Sequence, residues 1–301
     1  MKKLLCLFVA LTIFGFSVKS QTTTPTPNPS PPKSNNFDKK FRFGLRVTPQ
    51  PTWFSSNDNN NSPFGAKFGV GFGLNMEFRL SEIVALSTGV GGDFEGGSYS
   101  FKYDPANNYA VQYWQNSANE FVTPKNGGVA LDLANAGNTG YLLKERSIKT
   151  TFITVPMILK LSTSEYGGMK YFGMFGIELA IRAKAVATDS YLESYKYSAT
   201  GVATITPAPP SQSNINIGTD ASGFPGRVGL NAGLGFEYRL GGSTSFFMSF
   251  NYFRSFTNLL KNSSKYMIYN VDTTDPNRLL YNYVKQNYIV NAVRINIGFL
   301  F

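Results

Sequence analysis

The chain has 301 residues, a formal net charge of +10, no histidine and a single cysteine, Cys6. Without histidine the chain cannot build Ser-His or Asp-His catalytic machinery, and one cysteine cannot form a disulfide within the chain. The basic balance by itself allows nucleic acid, anionic lipid headgroups, lipopolysaccharide phosphates or a self-neutralising interior as partners of the cations.

Residues 1–20 carry the features of a secretory signal peptide. Lys2 and Lys3 precede an apolar run from Leu4 to Phe16, and small residues stand before Gln21. The run is shorter than the ~20 residues of a transmembrane helix, which is the alternative interpretation. Cleavage removes Cys6, so we expect no thiol chemistry, no metal site and no cofactor in the mature chain. We expect no nucleic-acid partner either, because an exported chain seldom meets one.

Residues 21–36 are rich in Pro, Thr and Ser, which favours an extended periplasmic tail. Residues 37–301 contain alternating segments with no uninterrupted apolar run long enough for a membrane helix, and we predict a single domain there.

Strict period-two alternation is the main structural signal. From Lys67 to Leu80 every even position is apolar and every odd one polar or glycine, and 227–240 repeats the pattern. Fourteen residues exceed the usual ~5–6 of a soluble strand and cover the ~9–11 that cross a bilayer. Eight strands are predicted: 41–54, 67–80, 83–94, 149–161, 170–182, 227–240, 243–257 and 288–301.

Long and short connections alternate between these strands, as in an up-and-down barrel with short periplasmic turns and long extracellular loops. Gly241 and Gly242 are expected to form a two-residue turn with positive φ at both positions, and Ser81 with Glu82 the equivalent one. We predict an all-β fold, an eight-stranded antiparallel up-and-down transmembrane β-barrel in the outer membrane of a Gram-negative bacterium. A soluble sandwich or barrel is the alternative; the glycine-rich polar face suits a crowded interior better.

The last strand is amphipathic in phase and ends on Phe301. An aromatic residue there is typical of the signal by which outer-membrane assembly machinery recognises its clients, so we expect that machinery as a partner.

Several short motifs resemble the small PorT-type outer-membrane β-barrel proteins over roughly residues 41–301. They are Val155, Pro156, Leu159 and Lys160 of an aliphatic-Pro-x-x-Leu-Lys strand, Gly229, Gly233 and Gly235 before Phe236, Tyr252 with Thr257 and Asn258, and the aromatic terminus. The resemblance implies an outer-membrane barrel within a larger envelope or secretion assembly. The connections 95–148 and 183–226 are longer than the family's usual ones. Pro156 is expected to sit at a bulge.

Parity places a set of charged residues inside the barrel, where they are expected to form an ion-paired plug; a gate or ion path is the alternative. The proposed network consists of Arg42, Arg46, Glu77, Arg79, Glu178, Arg182, Glu237, Arg239 and Arg294, and parity adds Lys67, Asp93, Lys160 and Arg227. Glu77 with Arg79 and Glu237 with Arg239 are expected to be repeated pairs. Inward Phe152, Phe172, Phe247 and Phe253 opposite glycines indicate a packed interior.

The outer loops hold the candidates for specific contacts, which are Tyr99, Phe101, Tyr103, Tyr113 and Trp114. Exposed aromatic residues anchor protein or glycan interfaces. The alternative is that the strands continue past the membrane and these rings pack on one another. Asn57 to Asn61 lacks the spaced acidic ligands of a calcium site and is expected to be a polar turn.

The function expected from these features is a structural or interaction component of the cell envelope, with a narrow porin-like channel as the alternative. Outer-membrane lipid, lipopolysaccharide and an envelope protein are the expected partners. Catalysis is not expected.

Overall fold

The computed structural model describes residues 39–56, 61–107, 109–123, 137–197, 203–207, 209, 211–217, 226–272 and 280–301. The predicted signal peptide, the Pro-rich tail and residues 57–60 lie outside them. The described residues form thirteen strands: β1 (Phe41–Ser55), β2 (Asn61–Arg79), β3 (Val84–Phe101), β4 (Val111–Gln115), β5 (Thr139–Ser162), β6 (Met169–Tyr197), β7 (Ala203–Thr206), β8 (Ser211–Asn216), β9 (Gly226–Gly241), β10 (Thr244–Ser255), β11 (Ser263–Asp272), β12 (Leu280–Lys285) and β13 (Ile289–Leu300). Among these residues no helix is long and apolar enough to cross a membrane.

Eight of the strands pair in an unbroken ring, called the ring below. Its order is β1, β2, β3, β5, β6, β9, β10 and β13, after which β13 pairs with β1 again. Every pairing is antiparallel, and apart from the closing β13–β1 pair each one joins two of the eight ring strands that follow each other along the chain. The prediction of an all-β antiparallel fold is confirmed.

The predicted connections differ from the structure because they contain strands of their own. β3 continues to Phe101, β5 begins at Thr139 and β6 continues to Tyr197, well past their predicted limits. On these extensions β4 pairs with β5, β11 with β4 and β12 with β11, while β7 and β8 pair with β6. The segments are therefore not plain loops, and the alternative expectation that the strands continue beyond their predicted limits is confirmed there. Extending the ladder gives the backbone groups of these long segments hydrogen-bond partners.

The two faces of the ring have opposite character. Along β1 exposed and buried positions alternate, with Phe43 and Leu45 exposed on the outer face and Arg42 and Arg46 buried inside. Along β2 and the residue after it, the outer face is apolar from Phe68 to Leu80, and Phe68 is 78% exposed. Phe72, Ile297 and Phe299, which are apolar positions of the alternating strands, are exposed as well, and Phe236 is half-buried beside Phe246.

Two local expectations need correction. Of the two glycines only Gly242 has positive φ, 56°, because β9 continues through Gly241 and the two-residue turn is formed by Gly242 and Ser243. Pro156 lies in register with Glu178 of β6 without a bulge. On its other side the ladder to β3 has no pair between Gly91–Thr154 and Thr88–Met157, so the missing proline N–H falls where pairing is already interrupted.

Candidate functional site: the charged interior and its cap

Four charged side chains form a closed square near the end of the ring that carries the short turns. Arg42 donates to Glu77 at 2.6 Å and to Glu237 at 3.0 Å. Lys160 donates to the second oxygen of Glu77 at 3.0 Å and also binds Glu237. All four are buried, and the two cations balance the two carboxylates. We call this group the lower charge cluster.

A layer of amides and hydroxyls lies further along the interior. The Thr48 hydroxyl donates to the side-chain oxygen of Asn296 at 2.8 Å. The side-chain NH2 of Asn296 donates to the Ser249 hydroxyl at 3.0 Å and to the side-chain oxygen of Asn251 at 3.1 Å. Asn251 in turn donates to Asn231 at 2.8 Å. The cavity beside this layer has a volume of about 30 Å³. That is room for about one or two water molecules.

A second group of ion pairs, the upper charge cluster, follows toward the far end. Arg294 donates to Glu178 at 2.5 Å, to Glu95 at 2.8 Å and to Gln50 at 2.8 Å. Arg227 donates to the other Glu178 oxygen at 3.0 Å and also binds Glu95. Each carboxylate therefore binds both guanidinium groups, and all four charged side chains are buried.

Phenylalanine rings fill the remaining interior. Phe253 lies 4.6 Å from the Arg227 guanidinium and 4.2 Å from that of Arg294, while Phe152 lies 4.1 Å from Arg227. Phe172 lies 4.3 Å from the Lys160 ammonium. A cation over a ring face is attracted by the ring quadrupole, so these rings stabilise the charges while blocking the passage.

Substitution of Gly229 tests this packing, since a Cβ there would overlap the Phe253 ring. We expect Gly229→Val to lower the free energy of unfolding by about 1–3 kcal/mol through overpacking. Gly173 on β6 is the matched control, because a Cβ there meets open space. Urea unfolding of the reconstituted protein measures both. Equal effects of the two substitutions would contradict a filled interior.

The strand extensions build a further buried ion pair above the upper charge cluster. The Nε and Nη2 atoms of Arg146 donate to the two carboxylate oxygens of Asp189, each at 2.6 Å, and neither side chain is exposed. Arg146 also donates to the Tyr266 hydroxyl at 2.8 Å, and Tyr113 donates to Asp189 at 3.1 Å. Burial and the neighbouring Asp189 carboxylate raise the pKa of Tyr113, so its phenol stays protonated and keeps donating.

Stacked aromatic rings surround this pair and close the end of the ring; together they are called the cap. Tyr99 stacks on Tyr288 with 4.1 Å between ring centroids, and Phe121 stacks on Tyr266 at 3.7 Å. The cap also contains Phe54, Phe101 and Tyr113, which are buried.

This burial corrects the expected contact surface. Tyr99, Phe101, Tyr113 and Trp114 are at most 6% exposed, so their rings cannot meet a partner as they stand. They are buried because β4 and β11 pack on the strand extensions and the rings pack on one another, as the alternative prediction stated. Tyr103 is 50% exposed and remains available.

The remaining predicted interior residues have other surroundings. Glu77 and Glu237 bind Arg42 and Lys160, and Arg239 binds Glu165 at 2.6 Å, so these contacts reach across strands instead of joining each glutamate to the arginine two residues on. Arg46 donates a hydrogen bond to the Asn296 side chain at 3.5 Å. Arg182 donates one to the backbone carbonyl of Leu259 at 2.5 Å.

Arg79 is half-buried, and Lys67 is exposed, which corrects its predicted buried position. The β2–β3 pairing shifts register between Ala66 and Val70, so Lys67 has no partner on β3, while it stays in register with Thr52 of β1.

Three functional residues escaped the parity argument. Glu95 follows the predicted end of its strand by one residue, and Arg146 and Asp189 lie in segments expected to be loops. Continued alternation past Phe94 could have included Glu95. Within the described residues no group of three acidic, histidine or cysteine side chains is arranged to hold a metal ion.

A closed antiparallel ring with polar side chains inside and apolar ones outside is the architecture of membrane-spanning β-barrel proteins. The chain belongs to the outer membrane protein beta-barrel domain family, whose profile matches residues 20–261. The predicted outer-membrane location is thereby confirmed.

The solved structures that match the chain share little sequence with it. Neisserial surface protein A is 9% identical, with 86% of this chain and 96% of that one covered and a TM-score of 0.33. OprG from Pseudomonas aeruginosa is 9% identical, with 86% and 94% covered and a TM-score of 0.34. Ail of Yersinia pestis is 10% identical, with 87% and 100% covered and a TM-score of 0.29. No curated protein matches the chain.

Proposed function

We propose that the chain is an eight-stranded up-and-down transmembrane barrel, closed to solutes, that acts as a structural or interaction component of the cell envelope. The end with the short β2–β3, β5–β6 and β9–β10 turns faces the periplasm, and the capped end faces outward. The single observation that carries the proposal is the filled interior, in which both charge clusters are internally paired and buried.

A narrow solute channel is the weaker proposal. A conducting pore needs a continuous water-filled path, whereas the amide layer between the two charge clusters borders a cavity of only about 30 Å³. Eight strands enclose a space just wide enough for side chains.

We propose a non-enzymatic role as well. The carboxylates of Glu77, Glu95, Glu178 and Glu237 all accept hydrogen bonds from buried cations, which leaves them poorly suited to move protons. The PorT-type assignment, with its implied place in a secretion assembly, also stays a proposal. It is supported by Lys160, which ends the aliphatic-Pro-x-x-Leu-Lys segment and joins the lower charge cluster.

Outer-membrane lipid, lipopolysaccharide and the assembly machinery are the proposed partners. The apolar outer face supports contact with lipid, and the β13 strand that ends next to Phe301 supports recognition by the machinery. For an envelope protein, Tyr103 is the contact candidate that remains exposed.

Planar-bilayer recording tests the proposal. We expect no unitary conductance from folded protein whose insertion is verified by its heat-sensitive electrophoretic shift, while a porin added to the same membrane gives steps. Pulldown from native membranes in gentle detergent should recover a stable partner, and Tyr103→Ser should weaken that recovery. Steady open steps from the wild-type chain would favour the channel, and cleavage of lipid or peptide would contradict both.

A further inference from the structure

The outer face of the ring carries an apolar cavity edged by three lysines. The cavity has a volume of about 380 Å³ and includes Phe68, Val70 and Phe94 in its lining. Lys67, Lys149 and Lys184 also line it, and all three are exposed. We call this feature the lysine notch. It lies at the capped end of the outer apolar surface.

Two irregularities of the ring create the notch. The β2–β3 ladder shifts register between Ala66 and Val70, and the β5–β6 ladder shifts next to Lys184, between its partner Thr151 and Phe152. Irregularities of this kind redirect side chains, here Lys184, and the first one leaves Lys67 without a partner on β3. Gly96, opposite Lys149, adds no side chain, which leaves the space open.

The wall is sealed from inside at the same place. The Thr52 hydroxyl donates to the Gly96 carbonyl at 2.6 Å and accepts from the Gly96 N–H at 3.0 Å, which replaces ladder bonds lost at the shift. Thr52 itself is fully buried. The buried residues Glu95 and Thr150 also line the notch, so its inner end lies at the wall of the ring, where Thr52 bonds to Gly96.

The lysines are close together and carry an uncompensated charge. Lys184 lies two residues from Val186, the direct partner of Lys149, which places the two lysines about 7–8 Å apart on one face. Lys67 is on β2 and Lys149 is on β5, with β3 between them, so two strand spacings place these lysines about 10 Å apart. Within the described part of the chain none of the three forms an ion pair, and the nearby Glu95 carboxylate is turned inward to Arg294.

We propose that the lysine notch binds a phosphorylated, multiply acylated glycolipid of the outer leaflet, lipid A of lipopolysaccharide. The ammonium groups meet its phosphates, while Phe68, Val70 and Phe94 contact its acyl chains. Charge complementarity and the continuity of the notch with the lipid-facing surface both select this occupant. The inference rests on the proposed function, because the notch must lie in the outer leaflet.

Native mass spectrometry of the folded full chain in detergent, titrated with bis-phosphorylated lipid A, tests the site. We expect the triple variant Lys67→Gln, Lys149→Gln, Lys184→Gln to bind at least about tenfold more weakly, since one lysine near an anionic lipid surface contributes about fivefold. Removing one phosphate from the lipid should weaken wild-type binding and change the triple variant's binding much less. Inorganic phosphate at matched concentration should not displace the lipid.

The matched control removes three exposed cations elsewhere, Lys102→Gln, Lys144→Gln and Arg254→Gln, and should bind like the wild type. Equal weakening in both triple variants, indifference to phosphate number, or displacement by inorganic phosphate would each overturn the site. A folded, electrically silent barrel with any of these results would reject only the notch. Loss of the heat-sensitive shift in the wild type would reject the proposed function itself.

Discussion

Replacing Arg294 by Met is expected to lower the free energy of unfolding by about 3–5 kcal/mol. Arg294 binds Glu178, Glu95 and Gln50 in a fully buried position, so its loss leaves two buried carboxylates sharing Arg227 alone. Methionine keeps much of the side-chain volume, which limits the packing contribution. Urea unfolding in lipid vesicles, followed by the heat-sensitive gel shift, measures the change.

Arg254→Met is the matched control, because Arg254 is exposed on the neighbouring strand and makes one long hydrogen bond, 3.4 Å, to Asn291. Arg254→Met should lower the free energy of unfolding by less than about 1 kcal/mol. Adding Glu178→Gln to Arg294→Met should recover part of the stability, since it removes one stranded charge. A single variant as stable as the control, or a double variant with purely additive losses, would contradict a coupled cluster.

Replacing Arg146 by Leu is expected to open the cap while the ring stays folded. Asp189 would then be a buried carboxylate with Tyr113 as its main remaining donor. Removing one partner of a buried ion pair lowers stability by about 3–5 kcal/mol. This loss affects the strand extensions most, because they lack the closed pairing of the ring. Digestion of reconstituted vesicles with proteinase K should cut the cap at least about tenfold faster, with the ring still protected.

Lys144→Leu is the control for this experiment, since Lys144 lies two residues away, is exposed and pairs with Glu145 only at 3.8 Å. Arg146→Lys should give an intermediate rate, because an ammonium keeps the charge and loses the paired geometry. If the midpoint of global unfolding moved together with the cleavage rate, the cap and the ring would be one cooperative unit.

The ring strands with an apolar outer face were predictable from the sequence because one physical constraint acts on every residue in them. Lipid outside and a crowded interior inside force the period-two pattern seen from Phe68 to Leu80, which β2 follows with its apolar side chains exposed. The inward direction of Arg42, Glu77 and Arg294 follows from the same alternation.

The cap was not predictable in the same way. Every residue of β4 is buried, so both of its faces are covered and alternation disappears. The register shift beside Lys184 changes the phase of β6, so a pattern read from Lys170 stops short of Asp189. Ion-pair partners also escape a parity argument, because parity gives the direction of a side chain and not its height in the interior. Arg42 meets Glu237 across the ring, 195 residues away in the chain.

The position of Arg294 on β13 has a consequence for biogenesis. β13 lies between β10 and β1, so it is the last of the eight strands to be synthesised and the one that completes the circle. Until it docks, Glu95 and Glu178 lack their second guanidinium, and a half-assembled sheet would hold unmatched anions next to fatty acyl chains. We therefore expect nascent chains to stay unfolded and bound to chaperones until β13 can close the ring in a single concerted step.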